Sequence, residues 1–520
     1  MVLKSINPKV DILGYGPVAF IDGKEITPEE LIAFSSMMTY KDAGAIDMIK
    51  DVLSSDKNIK EVVLKSLKGS AKRGHASMST SAGIWALFNG TSKYVDSLFT
   101  GAIFSSSLMP SSRRIPVNLE NIVAPDSIIN ADEETKKIYE EASKNNISFY
   151  MEIENKEIPR EEAAKITQYG IAGGGFIFLP LETILSAKND FIAQGKWTPK
   201  EANDIIKVIE DKIRDEDKMN NLYQFRQEAA RYTYPHVNIF TNPRNNSHIK
   251  DLQKKNGFPV KPLVKIKYIE DLTNLREELD NLSKLKEEIT SSPENVKQRW
   301  KELLREKNRI ISTYKNVLSI SSLQNPSWRV WGEIKRHRTL QQEVESVYNA
   351  IDRSYERMSK FKGNLDKLND QDIKEIDSFF MIPKSFLKGE NKNLLEKYVK
   401  LFSESLDAYK RLVSRGIPEG DAASVIPRGI RLTVDKRFDL YNILEGYIPL
   451  RTCNTAESEM RENTENEVKE INKLLPKYIT KHIGPKCASV GFCLEPKTCG
   501  KIQDYINFEY DKDTHSLLSS

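Results

Sequence analysis

The chain is predicted to be an α+β protein with two tandem domains and an additional helical hairpin. Its 520 residues are enough for two to four domains. Strand-like and helix-like patterns alternate along the first 245 residues, which indicates mixed structure rather than a helical bundle. A short block also recurs: Ile158-Pro159-Arg160-Glu161-Glu162-Ala163-Ala164 resembles Ile417-Pro418-Glu419-Gly420-Asp421-Ala422-Ala423. The repeat predicts duplication of a half-length domain followed by divergence, with chance similarity as the alternative.

Residues 1–245 are the first predicted domain. Strands are expected at Ile12–Ile21 and, after a glycine-rich turn, at Phe176–Phe178. Helices are expected over Thr27–Phe34, Ile46–Leu53, Pro159–Lys165 and Pro199–Ile213, with Thr27 as an N-cap followed by Pro28 and two glutamates. The Pro- and Asn-rich stretch from Tyr232 to Ser247 is predicted to be a loop or linker.

Residues 246–320 are predicted to contain a linker and the helical hairpin. The stretch from 268 to 318 is highly charged, with leucine and isoleucine at heptad-like spacing. Ser292-Pro293-Glu294 divides it, with Ser292 as cap and Pro293 in the first turn of the second helix. We expect the hairpin to pack on the rest of the chain, and dimerisation is the alternative.

The third predicted domain, 321–520, contains Arg336-His337-Arg338, in which two guanidiniums flank an imidazole. Thr339 followed by Gln342 matches a capping box, so a helix is expected from Leu340. On that helix Ser346 would lie about two turns on, on the same side as the triplet. Arginines before a helix N-terminus favour a phosphate site. A solvated basic loop is the alternative for the triplet alone.

A second segment points to the same chemistry. Arg451, Thr455 and Glu459 are four residues apart and would share one helix face, so that Glu459 could hold Arg451. The stretch from Asp439 to Pro449, with Asn442, is expected to be a partly buried helix that delivers Arg451. An ordinary surface salt bridge is the alternative.

The triplet and the motifs that follow it make the second half of the chain resemble the flavin-dependent thymidylate synthases. Arg-His-Arg, seven residues and Ser346 match the signature of that family. The features that follow it in order also match: Gly416-Ile417-Pro418, Val425-Ile426-Pro427, an Asn-bearing helix, Leu450-Arg451 and Ala456 to Glu459. The resemblance implies helices around a central, mainly antiparallel sheet in each domain.

The first half resembles a degenerate copy of the same domain. Gly74-His75-Ala76-Ser77 is similar to a Gly-His-x-Ser segment of the family, and Gly90-Thr91-Ser92-Lys93 to its Gly-x-Ser-Arg. Ser106, Ser111 and Arg113 fall where the signature has its two serines and last arginine, but Gly101-Ala102-Ile103 replaces the triplet. Since the family builds its sites from several subunits of a homotetramer, the resemblance implies a homodimer that acts as a pseudo-tetramer, with sites assembled from both halves.

The implied activity is reductive methylation of dUMP to dTMP, with a methylenetetrahydrofolate-type donor, FAD and NADPH. The implied FAD ligands are Arg336, His337, Arg338, Asn442, His75 and Ser77. The implied catalytic residues are Arg451, which would stabilise charge on the pyrimidine, and Ser346. The implied nucleotide ligands are Glu345, Ser346, Arg428, Ser111 and Arg113.

Three departures from the family pattern leave the nucleotide and turnover open. Ala423 stands where the family has an arginine, for which Arg428 is the candidate replacement. Glu345 is one position from the usual acid, and Tyr348 replaces the arginine of Ser-x-Arg. The alternative function is therefore a non-catalytic or altered-specificity nucleotide-binding protein.

The four cysteines form a separate pattern. Cys487, Cys493 and Cys499 are evenly spaced, and Cys453 lies close to Arg451. Four thiolates could hold a structural Zn²⁺. Buried free thiols, an iron–sulfur cluster and a redox pair are the alternatives.

Bulk composition excludes several classes. Lys+Arg 78 against Asp+Glu 74 gives a net charge of only +4, which does not mark a nucleic-acid coat. A mean hydropathy of −0.50 and the lack of long apolar runs exclude a membrane span. Few cysteines and no apolar signal core in Met1 to Asp11 predict a cytoplasmic protein.

Overall fold

A computed structural model of the chain describes residues 3–39, 44–55, 58–111, 113–154, 156, 158–229, 237–270, 272–365 and 367–519. They form two compact units that alternate along the sequence. Unit 1 is Met1–Asn245, Ser346–Leu368 and Pro383–Arg428, and unit 2 is Asn246–Glu345, Asn369–Ile382 and Gly429–Ser520. Within these described ranges, no helix is both long and apolar enough to cross a bilayer.

Twelve strands are present in the described residues, eight of them in unit 1. In chain order the strands are β1 Lys4–Ser5, β2 Lys9–Gly16, β3 Ala19–Ile21, β4 Lys24–Ile26, β5 Gly83–Asn89, β6 Ser106–Leu108, β7 Val123–Ala124, β8 Gly175–Pro180, β9 Leu263–Ile269, β10 Leu318–Gln324, β11 Gln341–Val344 and β12 Val434–Phe438. The α-helices are numbered in chain order across both units.

The helices of unit 1 are α1 Pro28–Met37, α2 Ala45–Ser54, α3 Ile59–Gly69, α4 Ala76–Thr80, α5 Tyr94–Leu98, α6 Asp126–Ile129, α7 Glu133–Glu154, α8 Arg160–Ala163, α9 Leu181–Gln194, α10 Lys200–Glu216, α11 Asn220–Glu228, α16 Val347–Met358, α18 Lys392–Ser414 and α19 Glu419–Ala422. Those of unit 2 are α12 Ser247–Asn256, α13 Thr273–Ile289, α14 Pro293–Tyr314, α15 Trp328–Ile334, α17 Asp370–Asp377, α20 Ile448–Arg451, α21 Ser458–Leu474, α22 Lys477–Thr480, α23 Lys486–Val490 and α24 Lys512–Ser519.

Each unit contains one four-stranded antiparallel sheet, and the two sheets have the same topology. The order is β2-β5-β8-β6 in unit 1 and β9-β10-β12-β11 in unit 2. Ranked along the chain, both orders read first, second, fourth, third. The expectation of mixed helix and sheet with mainly antiparallel pairing is confirmed.

Two long helices of unit 1 come from opposite halves of the sequence and pack together: α7 and α18. Asn146 of α7 donates from Nδ2 to Ser405 Oγ of α18 at 3.0 Å, and these positions are 259 residues apart. Gln168 and Pro427 form an isolated antiparallel bridge with the same separation. The repeated Ile-Pro blocks are also in this register, so equivalent positions meet each other, as at the axis of an isologous pair.

This pairing is the physical reason why the units differ from the predicted domain boundaries. The boundary after residue 245 appears in both. Residues 346–368 and 383–428, however, group with the first half of the sequence rather than with 321–520. A linear reading of the chain does not show that a helix pairs with its own equivalent.

The core of unit 2 forms between the hairpin and its sheet. Apolar residues of α13, α14, β10 and the segment around 440–448 make one buried cluster, which includes Leu275, Leu279, Leu282, Val296, Leu303, Ile310, Ile320, Phe438, Ile443 and Tyr447. Ser292 caps α14 by accepting from Asn295 N at 3.2 Å, as predicted. The hairpin therefore packs within the chain and supports the elements that carry the site.

Most other predicted elements of the first half are present. Thr27 caps α1 in a capping box with Glu30, and α2 and α10 fall where the sequence predicts them. The stretch predicted as strand at Ile12–Ile21 is divided into β2 and β3. Residues 232–236 of the predicted linker lie outside the described residues, and its last residue, Ser247, begins α12.

Candidate functional site: a cationic cluster in unit 2

The basic triplet lies at the C-terminal end of α15. Ser327 begins this helix, its hydroxyl accepting from Val330 N at 3.2 Å. After Ile334 the chain turns, and His337 N still donates to Ile334 O at 3.0 Å. The triplet thus follows the end of one helix, and the prediction that it precedes a helix starting after Thr339 is wrong. Cations at a helix C-terminus are stabilised by the helix dipole, so α15 supports positive charge here.

The predicted helix at Leu340 is instead strand β11. Gln341–Val344 pairs antiparallel with Arg437–Val434 of β12. Strand pairing overrides local propensity here, because Leu340 and Val344 are buried and Gln341 and Glu343 are exposed. The helix starts only at Val347, so the prediction that Ser346 shares a helix face with the triplet is also wrong.

Arg451 is delivered by two short helices in succession. Asn442–Gly446 forms one π-helical turn, and α20 follows it and ends at Arg451. Such turns occur often at functional sites. Asn442 is buried, and its Nδ2 donates to Thr339 O at 3.2 Å and to Asp439 Oδ1 at 2.8 Å. Asn442 thereby ties this segment to the chain just after the triplet.

His337 and Arg451 are in direct contact. Arg451 Nε donates to His337 Nε2 at 2.7 Å, and Arg451 Nη1 lies 3.5 Å from Glu333 Oε2. Because Nε2 accepts this hydrogen bond, the neutral imidazole carries its proton on Nδ1. Burial, followed by the charges of Arg451 and Lys436, lowers the pKa of His337 to about 3. His337 is therefore neutral at physiological pH.

A buried ion pair lies behind His337. Lys436 and Glu467 are fully buried with 2.7 Å between Nζ and Oε1, and Lys436 Nζ donates to Tyr447 Oη at 3.1 Å. Tyr447 meets the His337 ring edge-on, with 4.9 Å between centroids. Burial alone would lower the pKa of Lys436, but Glu467 and Tyr447 raise it overall.

Sequence reasoning missed Glu333, Lys436 and Tyr447. Tyr447 is four residues before Arg451, a spacing that places both on one helix face. Lys436 lies within a strand whose other residues are mostly buried, so a charged side chain there required a partner. Both signals are present in the sequence, but neither identifies the partner.

Arg336 and Arg338 extend the positive charge beyond His337. Arg336 is half-buried, and its Nε has no hydrogen-bond partner among the described residues. Partial burial and the charge of Arg336 lower the pKa of Arg338. A buried guanidinium nitrogen without a partner and a second cation nearby favour binding of an anion.

Glu459 does not hold Arg451, so that prediction is wrong. The helix ends at Arg451, turns intervene, and α21 starts at Ser458. Glu459 instead accepts from Ser327 N and Oγ, at 2.7 and 2.6 Å, and lies 3.5 Å from Arg431. These hydrogen bonds to Ser327 fix the start of α15, the helix whose other end leads into the triplet.

Unit 1 contains the same arrangement at the corresponding positions. Glu201 accepts from Ser92 N at 2.6 Å and from Ser92 Oγ. Ser92 follows β5 as Ser327 follows β10, and the helices that carry the two glutamates, α10 and α21, each have 17 residues. Burial raises the pKa of Glu201 to about 7. Position for position, Gly101, Ala102 and Ile103 then correspond to the triplet.

The other predicted nucleotide ligands are engaged with protein groups. Glu345, in unit 2, is buried and accepts from Thr433 N at 2.9 Å. In unit 1, Ser346 donates to Thr241 O at 2.7 Å. Arg428 is buried, donates from Nε to Thr167 Oγ1 at 2.9 Å and lies over the Tyr169 ring.

In the first half, His75 and Ser77 line a cavity of about 580 Å³ in unit 1. Both are exposed, and Arg73, Ser35 and Ser70 line the same cavity. Arg113 pairs with Glu161 at 2.9 Å, and its backbone N donates to Ser111 Oγ at 3.3 Å. The predicted ligands of this half are thus at or near the surface, in contrast to Glu345 and Arg428.

All four cysteines are free and line a second cavity, of about 350 Å³, in unit 2. Within the described part of the chain, no three histidine, cysteine or acidic side chains are already arranged as metal ligands. The predicted zinc site is therefore not preformed. Burial, and then the charges of the other three cysteines, raise the pKa of Cys487 to about 12.

Unit 2 thus combines an antiparallel sheet with arginines clustered around a neutral histidine, an arrangement whose charge suits an anionic ligand. Comparison with known families specifies this further. Residues 274–477 match the family described as thymidylate synthase complementing protein. This segment contains the triplet and Arg451, and the match confirms the resemblance predicted from the motifs.

Curated relatives point the same way. The chain is 32% identical over 131 residues to the flavin-dependent thymidylate synthase of Pyrococcus abyssi, covering 25% of this chain and 51% of the relative. It is 31% identical over 142 residues to the flavin-dependent thymidylate synthase of Thermococcus onnurineus, covering 26% of this chain and 56% of the relative. The aligned stretch thus spans about half the length of these relatives.

A solved structure is also similar in part: flavin-dependent thymidylate synthase ThyX from Helicobacter pylori complexed with FAD and dUMP. The match covers 42% of this chain and 97% of that one, at 15% identity and a TM-score of 0.27.

Proposed function

We propose that the chain is a flavin-dependent thymidylate synthase, which converts dUMP to dTMP with a methylenetetrahydrofolate-type donor, FAD and NADPH. The observation that carries the proposal is the His337–Arg451 contact within the family segment. It combines a neutral imidazole, an ordered guanidinium and two further arginines in one cluster.

The residues present fit a flavin dinucleotide. Arg336 offers a buried Nε without a partner among the described side chains, and Arg338 offers an exposed guanidinium. Both suit phosphate or an electron-rich ring. We assign FAD binding to Arg336, His337, Arg338 and Asn442, and to His75 and Ser77 of the first half. When bound, FAD supplies the hydride chemistry that no side chain can supply.

Arg451 is assigned the electrostatic role. Glu333 and His337 hold its Nη1 and Nε, whereas Nη2 makes no hydrogen bond to any described residue. A guanidinium fixed in this way can stabilise negative charge that develops on the pyrimidine when N3–H ionises. Since its partners are in place before ligand binds, little reorganisation is required.

Nucleotide binding is assigned to Ser346, Glu345, Arg428, Ser111 and Arg113. Arg113 is the most accessible cation among these, because its guanidinium, which pairs with Glu161, remains partly exposed. Arg428 and Glu345 are buried, so we expect them to act by holding the backbone around the nucleotide. Ser346 would be both a nucleotide ligand and a catalytic residue.

We infer that the active particle is a homodimer whose two chains replace the four subunits of a tetramer. The identical sheet order of the two units and the contacts between positions 259 residues apart support a duplicated chain. The four free thiols suit a reducing compartment such as the cytoplasm.

The test is flavin uptake followed by release of tritium from 5-labelled dUMP. Purified protein should be yellow or should bind added FAD, and tritium should be released when the donor and NADPH are present. A colourless protein that binds no FAD contradicts the proposal. FAD and dUMP binding without tritium release would favour the alternative, a non-catalytic nucleotide-binding protein.

A further inference from the structure

All four cysteines of the chain border the same cavity of unit 2, beside Arg451. Cys453 follows α20, Cys487 lies in α23, and Cys493 and Cys499 lie in the irregular segment after it. Three of the four are beyond residue 477, where the match to the family ends. The cavity therefore joins the family segment to a C-terminal extension.

Val490 and Phe492 of the extension belong to the core of unit 2, but residues 494–500, which follow, have little packing of their own. Residues 491–500 form no regular helix or strand, and Leu494 and residues 496–500 are exposed. Gly491, which ends α23, and Gly500 both adopt positive φ, so tight turns bound this exposed segment. A metal bound by its side chains would add a cross-link between the segment and the rest of unit 2.

The contacts around the cavity bring two of the thiols to a shared pair of residues. Cys453 Sγ lies 3.3 Å from Thr455 Oγ1, which donates to Glu495 Oε1 at 3.2 Å. Cys493 Sγ lies 4.0 Å from Glu495 O. Both sulfurs thus lie next to the hydrogen-bonded pair Thr455 and Glu495.

The cavity wall is also rich in cations. Four basic residues line it: Arg451, Lys486, Lys497 and Lys501. Among the described residues that line the cavity, Glu495 is the one with an acidic side chain. A divalent ion held by four thiolates carries a net charge of −2. Surrounding cations would stabilise such a complex by electrostatic attraction.

We propose that Cys453, Cys487, Cys493 and Cys499 bind one zinc-type divalent cation in a tetrahedral thiolate site. Each thiol transfers its proton to solvent and each sulfur donates an electron pair to the metal, so binding of one ion releases up to four protons. The ligands are not preformed, and we expect rotation of the side chains and closure of the 493–499 segment around the ion.

This site is structural and does not depend on the proposed catalytic activity. Its effect would be to fasten the extension to the segment that carries Arg451, and so to restrict the movement of that guanidinium. A metal at this position would increase the free energy of unfolding, and the increase would grow with the ratio of free metal concentration to its Kd.

The test uses the full chain purified with a reductant and without a chelator. Metal analysis should find about one zinc ion per chain, and replacement by Co²⁺ should give the visible absorption of a thiolate complex. Cys499→Ser changes an exposed side chain and should not affect folding, yet it should weaken zinc binding by more than about tenfold, the scale that outer contacts alone reach.

Thr498→Ser is the matched control, because Thr498 lines the same cavity without providing a thiol. It should retain zinc at the wild-type level. Absence of retained zinc and of zinc uptake by the reduced wild-type chain would overturn the proposal. Equal zinc binding by wild type and Cys499→Ser would overturn the four-ligand site, as would formation of a disulfide among these cysteines in the presence of the metal.

Discussion

At the scale of residues, the site depends on a histidine kept neutral next to an arginine. His337 accepts a hydrogen bond from Arg451, and burial together with that positive charge prevents it from gaining a proton. A protonated imidazole could not accept this bond and would repel Arg451. Neutral His337 therefore orients Arg451 without reducing the positive charge offered to a ligand.

Arg451→Lys should lower the rate of dTMP formation by about 10²-fold or more, the scale of losing one preorganised donor at a developing charge. Lysine keeps the charge but cannot bond His337 and Glu333 at once. Steady-state kinetics with dUMP as the varied substrate measures the effect. Arg437→Lys, an exposed arginine of β12, is the control and should have wild-type rates. Equal rates for both variants would contradict the role of Arg451.

The depressed pKa of His337 predicts a dependence of stability on pH. The unfolded chain binds a proton near pH 6.5, whereas the folded chain binds it only near pH 3. The stabilising contribution is therefore fully present above about pH 6.5 and is lost as pH falls toward 3, by at most about 1.4 kcal/mol per pH unit.

His337→Asn should remove this part of the slope between pH 4 and 6, as measured by urea unfolding at each pH. His482, whose pKa burial lowers to about 4, contributes a similar slope in both proteins, so only the difference between them is interpreted. Parallel curves for wild type and His337→Asn would show that His337 titrates normally.

At the scale of elements, caps were predictable and strand pairing was not. Thr27 and Ser292 were identified because a cap is a local pattern of side chain and backbone. Strand β11 was predicted as helix because Thr339 and Gln342 matched a capping box before an apolar stripe, whereas its pairing partner β12 is almost 100 residues away. A capping-box match is uninformative when a distant strand decides the conformation.

The two serine–glutamate pairs have the same geometry but different electrostatics. Glu459 is close to buried Arg431, whereas burial raises the pKa of Glu201 to about 7, so that it is partly protonated at neutral pH. Glu459→Gln should therefore destabilise the chain by about 2 kcal/mol or more, and Glu201→Gln by less than about 1 kcal/mol.

Urea unfolding of both variants at pH 7 compares them directly. Each variant is the control for the other, because both lose the negative charge and both replace one of the two oxygens that accept from the serine by an amide NH2, which can only donate. Equal destabilisation would show that Arg431 does not distinguish the two sites. A larger loss for Glu201→Gln would contradict the electrostatic account.

At the scale of the whole molecule, duplication was inferred from a short repeat and from motifs of the first half, and the two sheets share one strand order. The repeated block predicted a relation between the halves. The shared sheet order, the two serine–glutamate pairs and the pairing of α7 with α18 were not visible in the sequence, because each depends on contacts between distant positions. For the candidate site, the sequence likewise identified the triplet and Arg451, but it did not identify the contacts that hold these side chains in place.

A dimer of duplicated chains predicts the mass of the particle. Light scattering after size-exclusion chromatography should give about twice the 59.4 kDa of one chain at micromolar concentration. A monomer with full activity would contradict the pseudo-tetramer. A tetramer of full-length chains would show that the first half does not replace a subunit.

Contribution of both halves to ligand binding is a separate prediction. His75→Ala and Arg113→Ala should each weaken FAD or dUMP binding by about tenfold, as Arg338→Ala should. Equilibrium titration of each ligand measures this, with Arg114→Ala, an exposed neighbour, as control. Unchanged binding in His75→Ala and Arg113→Ala, with binding abolished in Arg338→Ala, would confine the site to the second half.

The central claim is that this chain makes dTMP with a flavin. The most direct measurement is chromatographic detection of dTMP after incubation of the full chain with dUMP, methylenetetrahydrofolate, FAD and NADPH. We expect dTMP to form with the wild-type chain, to require FAD, and to fall by about 10²-fold or more in Arg451→Lys. No dTMP from a chain that binds both FAD and dUMP would contradict the claim.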